Sequence, residues 1–267
     1  MKKNLFKLLL SFLVLGITLG VSSCQANNPG KLICGITIYE PMNYKDNAGN
    51  WTGFDTEFAN LVGEKLGMDV EFQEIKWESK YSELEAGTIN CIWNGFTANS
   101  EDDGKKRSEY VDFSYSYMLN QQCVVINAQN VDNFKTLDDL AGKTAAAEKG
   151  SAGEAFAKEA VGSAGSMIDS AAQVDTFIEV KAGAVDFAVV DILLAQQLAG
   201  TGNYSDLVIA DITLDSEVYA VGFKKGSDLT QKVNNAMKEL FDEGKMAELA
   251  EKYGLTNSLK LDTEFKG

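Results

Sequence analysis

The chain has 267 residues, of which 45% are hydrophobic and 24% charged, and this composition supports a large buried core in one big domain or two medium ones. It has no histidine and no C-x-x-C pair, which excludes a histidine-based catalytic triad and argues against a zinc site. The formal net charge of −15 disfavours nucleic acid and anionic lipid surfaces as partners. We therefore expect no metal site, no cofactor and no bound nucleic acid.

The N-terminal segment has the layout of a secretory signal. A basic head precedes an apolar run over residues 8–21 that is too short to span a bilayer comfortably. Val21-Ser22-Ser23-Cys24 resembles a lipobox, which implies cleavage before Cys24 and acylation of its thiol. An ordinary signal peptide that ends near a cysteine is the alternative. We expect a signal peptide over residues 1–23 and a lipidated tether over residues 24–30.

Beyond residue 31, short β runs alternate with amphipathic helical stretches, which is the signature of a parallel or mixed sheet covered by helices. The predicted strands are 31–37, 68–75, 90–96, 122–127, 143–148, 186–191, 207–212 and 217–224. The predicted helices are 53–66, 151–161, 171–182, 229–243 and 245–253.

Three cysteines, Cys34, Cys91 and Cys123, follow the lipobox cysteine. An odd number cannot all pair within one chain, so at least one is a free thiol or pairs elsewhere. A bridge between Cys34 and Cys91 stays open because their strands are expected to be neighbours.

Residues 81–90 and 177–186 have similar sequences, 96 positions apart. In both copies a helix ends at a glycine, which is typical of a left-handed C-cap, and a buried strand follows that ends in Asn94-Gly95 or in Asp191. Ligands of open α/β sheets bind beyond the carboxyl ends of the strands. The repeat therefore predicts two similar lobes that aim strand ends at a shared cleft, with one large sheet as the alternative.

Arg107 is the only arginine in a chain that has 23 lysines. Its planar guanidinium matches a carboxylate bidentately, which a lysine does not. A solvated surface residue beside Lys105 and Lys106 is the alternative. Its place between the predicted third strand and the segment 110–114 favours a role at a ligand.

Several short motifs follow one another in a fixed order between residues 31 and 254. They are Gly53-Phe54-Asp55, Trp77 ten residues before Gly87, Asn94-Gly95-Phe96-Thr97, Arg107-x-x-x-Val111-Asp112-Phe113-Ser114, Glu148-Lys149-Gly150-Ser151, Ala188-Val189-Val190-Asp191, and Leu240-x-x-x-Gly244 to Tyr253-Gly254. In this order they resemble the polar amino-acid family of bacterial ABC-transporter extracellular solute-binding proteins, family 3.

The resemblance implies an α/β, two-lobed periplasmic-binding-protein-like type II fold, each lobe a mixed β-sheet flanked by helices. Residues 31–121 with 219–267 form lobe 1, residues 122–218 form lobe 2, and two strands make the hinge. Such a protein is the substrate-binding component of an amino-acid ABC importer. It binds a free, polar L-amino acid by lobe closure and passes it to permease subunits. We expect a monomer without enzymatic activity, anchored outside the cell membrane by its lipid.

The resemblance also assigns groups to the ligand's α-carboxylate. Arg107 clamps it, with the Thr97 hydroxyl beside it. The backbone amides of Ser151 and Ala152 donate to the same group, because a helix start is an anion site.

The α-ammonium and the side chain take the other groups. Asp191 and the Gly95 carbonyl receive the ammonium, although Asp191 is also placed to cap a helix over 192–199. The remaining positions at the ligand are Asn94, the aromatic Tyr39 and Trp77, and Glu148.

Two departures from the family pattern bear on the site. The family's arginine follows its threonine by about five residues, where this chain has Asp102, so an insertion within 99–106 is inferred. The aspartate of basic-amino-acid binders is replaced by Thr37, which argues against a lysine or arginine ligand. Glu148 and Glu40 remain as groups that face a cationic or amide side chain.

Two other classes of function stay open. A secreted dehydratase-like enzyme on the same scaffold needs a carboxylate such as Glu148 or Glu40 as its acid or base. An amino-acid-sensing or adhesive lipoprotein uses the same cleft without a transporter.

Overall fold

The computed structural model describes residues 30–265. The predicted signal peptide over residues 1–23, the lipidation site Cys24 and the tether up to residue 29 lie outside the described residues. Within residues 30–265, no helix is both long and apolar enough to cross a membrane.

The strands of the described region include a counterpart of each predicted strand. Three differ clearly in length. The third ends after two residues, because the chain turns away at a left-handed Gly95, the fourth begins eleven residues early at Val111, and the strand predicted over 207–212 ends at Ile209. The strands are β1 (Lys31–Ile36), β2 (Tyr44–Lys45), β3 (Trp51–Thr52), β4 (Asp69–Glu74), β5 (Cys91–Ile92), β6 (Glu101–Asp102), β7 (Lys105–Lys106), β8 (Val111–Asn127), β9 (Thr144–Glu148), β10 (Ser166–Ser170), β11 (Phe187–Asp191), β12 (Leu207–Ile209), β13 (Ser216–Lys224) and β14 (Leu259–Asp262).

The five predicted helices are present within two residues of their expected ends, and short 3₁₀ turns connect several elements. The sequence reading missed the one-turn helix α3, because four residues are too few to show a helical period. The helices are α1 (Phe54–Leu66), α2 (Lys80–Ala86), α3 (Arg107–Tyr110), α4 (Ala152–Val161), α5 (Gln173–Lys181), α6 (Ile192–Leu198), α7 (Leu229–Asp242) and α8 (Lys245–Lys252).

The two copies of the predicted repeat have the same local structure. Gly87 and Gly183 are both left-handed, with φ of 74° and 69°, at the ends of α2 and α5. In both copies the amide after the glycine reaches back to a helix carbonyl, from Thr88 at 3.2 Å and from Ala184 at 2.9 Å. This arrangement ends each helix and turns the chain into the following strand, β5 or β11.

The strands form one continuous mixed sheet with the order β10-β9-β11-β8-β13-β5-β1-β4, and β12 and β14 also pair with β8. Parallel pairs lie at both ends, β10 with β9 and β1 with β4, whereas β8 and β13 run antiparallel to their neighbours. Helices flank the sheet, as expected for parallel strands that must be buried on both faces.

The long strand β8 belongs to two half-sheets. Between Val111 and Gln121 it pairs with β13, which leads to β5, β1 and β4. Between Gln122 and Ile126 it pairs with β11, which leads to β9 and β10. The half-sheets therefore meet where β8 and β13 run side by side.

Buried apolar side chains pack on both half-sheets, and one cluster of them is continuous from the first half-sheet to the second. In the first, an aromatic group holds α1 on the sheet: the ring of Phe58 lies 5.3 Å from Trp93 and 5.4 Å from Tyr117. In the second, buried side chains from β8 and β11 pack together, including Val124, Ile126, Phe187 and Val189. Burial of such side chains is the main favourable term in folding.

Cys34, Cys91 and Cys123 are free and buried. Cys34 and Cys91 lie opposite one another on β1 and β5, as the sequence predicted, with their sulfur atoms 3.6 Å apart. This distance is well beyond an S–S bond.

A test of the core concerns Gly63, on the face of α1 that meets β4. A Cβ there would lie 2.3 Å from Val70 Cγ2 and 2.9 Å from the Met68 carbonyl oxygen. Overpacking typically costs about 1–3 kcal/mol, which exceeds the helix-propensity gain of about 1 kcal/mol. We expect Gly63→Ala to lower the free energy of unfolding by about 1 kcal/mol in urea titrations.

The matched control is Glu64→Ala, one position along the same helix and exposed. It is expected to stay within about 0.5 kcal/mol of the starting protein. A Gly63→Ala variant as stable as this control would contradict the close packing of α1 on β4.

Candidate ligand-binding site

A narrow cavity lies between the two half-sheets, with about 10 Å³ of room for a water-sized molecule. That is about the space of one water, so the walls nearly meet and a ligand larger than water requires them to move apart. The structure brings together nine of the ten predicted ligand-contacting residues on its wall, and adds two glutamines that the sequence reading missed. The wall consists of Trp77, Asn94, Gly95, Thr97, Arg107, Gln122, Glu148, Ser151, Ala152, Gln173 and Asp191.

The sheet topology explains why these residues meet. Glu148 and Asp191 are the last residues of β9 and β11, which are parallel neighbours in the second half-sheet. Asn94 and Gly95 follow β5 in the first half-sheet. The carboxyl ends of these strands therefore face one another across the cavity.

Arg107 begins α3 and is 1% exposed, so it is not a surface residue. Its Nε and Nη2 atoms donate to Asp102 Oδ1 at 3.0 and 2.9 Å, and Nη1 donates to the Thr97 carbonyl at 3.0 Å. Nη2 also has a long contact of 3.4 Å with the Gly150 carbonyl. Four of the five guanidinium N–H groups thus have acceptors, and one on Nη1 remains for a ligand.

The inferred insertion is a hairpin of β6 and β7 that turns at Asp103 and Gly104, both with positive φ. It leaves Arg107 on the cavity wall. It also adds Asp102, whose carboxylate lies along one edge of the guanidinium. A ligand carboxylate that bonds to both Nη1 and Nη2, as the predicted bidentate clamp requires, must therefore displace the Gly150 carbonyl from Nη2.

Lys80 is a second buried cation, 2% exposed, that the sequence reading missed. Its Nζ lies 3.2 Å from Asp102 Oδ2 and donates to the Gly150 carbonyl at 2.9 Å. Burial, followed by the nearby Arg107, lowers the pKa of Lys80 to about 8. Burial raises the pKa of Asp102, but Arg107 and Lys80 outweigh it and hold that pKa below its ordinary value.

Asp191 is bound by amide side chains. Asn120 Nδ2 donates to it at 2.5 Å, Gln122 Nε2 at 2.7 Å, and Gln173 Nε2 also donates. The same Asn120 and Gln122 nitrogens donate to Glu217 Oε2 at 2.9 Å each. The Asp191 side chain makes no capping bond to α6, so the alternative of a structural cap is not what the structure shows.

Glu217 was not among the predicted site residues. Burial, followed by the neighbouring Asp191, raises the pKa of Glu217 to about 7. Burial also raises the pKa of Asp191. Two carboxylates that share donors repel one another, and a cationic group between them relieves that repulsion.

Glu148 is 2% exposed and its Oε1 atom has no hydrogen-bond partner among the described residues. Burial, followed by the charge of Asp191, raises its pKa to about 8. A buried acceptor without a donor is costly, and such groups mark places that a ligand or water completes.

The start of α4 differs in detail from the expectation. The Ser151 amide donates to the Glu148 carbonyl at 3.1 Å, and the Ser151 hydroxyl accepts from the Glu154 amide at 3.0 Å. Among the described residues the Ala152 and Gly153 amides have no backbone acceptor. The helix start therefore offers Ala152 and Gly153, rather than Ser151, to an anion.

Tyr39 does not line the cavity, which differs from its predicted place beside the ligand. Its hydroxyl forms a 2.6 Å hydrogen bond with Tyr219, and its ring lies directly behind Gly95, where a Cβ would come within 2.6 Å of it. The Thr97 hydroxyl donates to Glu217 at 3.2 Å. The Asn94 amide bonds to the backbone of Thr37, so it holds the strand ends together.

The family model of bacterial extracellular solute-binding proteins, family 3, matches residues 32–256. The chain belongs to this family. The matched range includes both half-sheets and every residue of the cavity wall. The resemblance seen in the sequence motifs, and the fold class that it implied, are thereby confirmed.

Three named proteins are similar to this family 3 protein, and all three are described as binding proteins. Arginine-binding extracellular protein ArtP of Bacillus subtilis is 28% identical over 256 residues, covering 92% of this chain and 97% of ArtP. L-cystine-binding protein TcyJ of Escherichia coli is 27% identical over 229 residues, covering 84% of this chain and 82% of TcyJ. A solved ABC uptake transporter substrate binding protein from Streptococcus pneumoniae with bound histidine is 31% identical, with a TM-score of 0.73, covering 84% of this chain and 92% of that chain.

The raised pKa of Glu148 predicts a pH-dependent stability for this family 3 protein. Between its ordinary value of 4.5 and about 8 the folded state keeps a proton that the unfolded state releases, so stability falls as pH rises through this range. Glu148→Gln removes this loss. We expect the variant to gain more thermal stability over the starting protein at pH 9 than at pH 5.

The control is Glu251→Gln, an exposed position on α8. Its difference in melting temperature from the starting protein should be small and the same at both pH values. An equal effect of Glu148→Gln at pH 5 and pH 9 would show that Glu148 is not buried in an acid form.

Proposed function

We propose that this protein is the extracellular substrate-binding component of an amino-acid ABC importer, and that its cavity binds a free polar L-amino acid. The observation that carries the proposal is that a buried arginine from one half-sheet, Arg107, and a buried carboxylate from the other, Asp191, share one small cavity. Family membership supports an extracellular binding role, and the relatives named for arginine, cystine and histidine support an amino acid as the ligand.

The zwitterionic part of the ligand has a group for each charge. The free Nη1 N–H of Arg107 and the amides of Ala152 and Gly153 suit the α-carboxylate. Asp191 and the Gly95 carbonyl suit the α-ammonium. Trp77, which is packed edge-on against Phe96 at 5.5 Å, offers a ring face to the ligand side chain.

Binding works by closure of two lobes, residues 31–121 with 219–267 and residues 122–218. Contacts between the half-sheets around the cavity include Lys80 to the Gly150 carbonyl and an ion pair of Glu78 with Lys149 at 2.7 Å. A ligand that needs groups from both lobes binds the closed state better, and this difference in affinity shifts the population towards it.

The remaining parts of the proposal concern the membrane side. After removal of residues 1–23, lipid on Cys24 anchors the protein as a monomer, with residues 24–30 as a tether. Two acyl chains give stable anchoring, where one holds only marginally. From there the bound amino acid passes to the permease subunits of the transporter.

A thermal-shift screen with the twenty amino acids plus cystine, ornithine and citrulline tests the ligand class. Bound ligand stabilises the folded state by about 4 kcal/mol at a thousandfold excess over Kd. We expect at least one free amino acid to raise the melting temperature. A screen without any shift would contradict the proposal.

The paired charges are tested with Asp191→Asn and Arg107→Ala. Each leaves one end of the ligand without its partner, so each should cost about 2–5 kcal/mol of binding free energy by calorimetry. The control is Asp211→Asn, an exposed position in the second lobe. A loss of less than threefold in affinity would remove the tested residue from the ligand's contacts.

One observation favours an enzyme on the same scaffold. Glu148 carries a proton at neutral pH inside the cavity, which is the state that a dehydratase acid needs. Incubation with the amino acid found in the screen, followed by chromatography, separates the two functions. Unchanged ligand supports transport, whereas a product supports catalysis. Direct binding to permease subunits decides against a sensing or adhesive lipoprotein.

A further inference from the structure

Acidic side chains outnumber basic ones around the cavity. Two cations, Arg107 and Lys80, lie at its lobe 1 side, and both contact one carboxylate, Asp102, at 2.9 and 3.2 Å. Their positive charge is therefore already partly matched inside the protein. Three further carboxylates lie on the wall or bond to residues of it, Glu148, Asp191 and Glu217, and no cation within the described residues forms an ion pair with them.

The buried polar atoms at the site that lack a hydrogen-bond partner also call for a ligand that donates. Glu148 Oε1 and Asn120 Oδ1 are buried and have no hydrogen-bond partner within the described part of the chain. Asn120 Oδ1 is an acceptor, and so is Glu148 Oε1 when the carboxyl is ionised. Each then needs a donor, and Glu148 is a residue of the cavity wall. A ligand whose side chain has only acceptors would leave these two oxygen atoms without a donor, and an unpaired buried polar atom costs free energy.

A neutral zwitterion leaves Glu148 in the acid form that its raised pKa favours. Its ammonium matches Asp191 and its carboxylate matches Arg107, so neither charge is left for Glu148. A ligand with one more positive charge replaces the proton of Glu148 and donates to the ionised carboxylate. The carboxylate on the wall that has an open acceptor atom is Glu148.

We propose that the cavity selects an amino acid with a positively charged side chain, and that this charge donates to Glu148. The inference rests on the proposed function, because it assumes an amino acid in the cavity. It revises the expectation from Thr37: the acidic partner of the side chain comes from the end of β9 and not from the loop after β1.

The first test is calorimetric titration of the purified protein with matched ligands. L-arginine, L-lysine and L-ornithine carry a cationic side chain, whereas L-citrulline has nearly the shape of arginine without its charge, and L-glutamine is a shorter neutral amide. We expect at least one cationic ligand to bind about 10–100-fold more tightly than citrulline or glutamine, the usual range for a charged hydrogen bond. L-glutamate should not bind measurably.

The second test assigns the selectivity to its residue. Glu148→Gln keeps the size of the side chain and removes its charge. The preferred cationic ligand should lose at least about tenfold in affinity, while citrulline should lose little or gain. Glu251→Gln serves as the control, and a melting curve with each titration shows that the variants are folded.

A proton balance provides an independent readout. The groups that face Glu148 are Asp191 on β11, Asp175 on α5, Lys80 on α2 and the Thr37 hydroxyl. Burial gives Glu148 a pKa of about 8, so a cation that binds beside it at pH 7 expels its proton. Titrations in two buffers of different ionisation enthalpy should show proton release with the cationic ligand, and less with Glu148→Gln.

The outcomes separate the two proposals. If citrulline or glutamine binds as tightly as every cationic amino acid, the selectivity is wrong and the proposed function stands. If the cationic ligand is preferred but Glu148→Gln leaves that preference unchanged, the assignment to Glu148 is wrong. If no amino acid binds, both proposals fail together.

Discussion

The structure depends on the burial of carboxylates where the two half-sheets meet. A buried carboxylate loses its hydration, and the molecule compensates with amide donors and not with cations. Asn120 and Gln122, on the stretch of β8 that crosses between the half-sheets, donate to Asp191 and to Glu217 together. The polar network of the cavity and the junction of the half-sheets are therefore the same set of atoms.

This coupling explains how a small ligand acts on the whole molecule. In the first half-sheet, Arg107 and Lys80 contact the Gly150 carbonyl of the second. In the second, Asp191 accepts a hydrogen bond from Gln122 of β8, the strand that both half-sheets share. A ligand that bonds to Arg107 competes with the existing contact at Gly150. Ligand binding and the relative position of the half-sheets thus involve the same donors.

Much of the fold could be predicted from the sequence because local signals specify it, whereas most residues of the cavity wall were expected only from the resemblance to the family. Helix periodicity, the glycine caps at Gly87 and Gly183, and the polar residues after two buried strands each depend on a few neighbouring residues. The partners of the charged side chains could not be predicted. Lys80 has the spacing of a surface lysine on a helix, and only the fold brings it to Asp102. Tyr39 matched an aromatic position, but the left-handed Gly95 left room for its ring behind the wall.

The shared strand has a mechanical consequence. At about 3.4 Å per residue, the 17 residues of β8 form a continuous strand of roughly 58 Å. β13 pairs with β8 between Val111 and Gln121, with two irregularities in register near Ala220. A pair of hydrogen-bonded strands resists sliding and stretching far more than bending and twisting. The lobe closure proposed above would therefore bend or twist this strand pair, and contacts on the two walls of the cavity would form or break together.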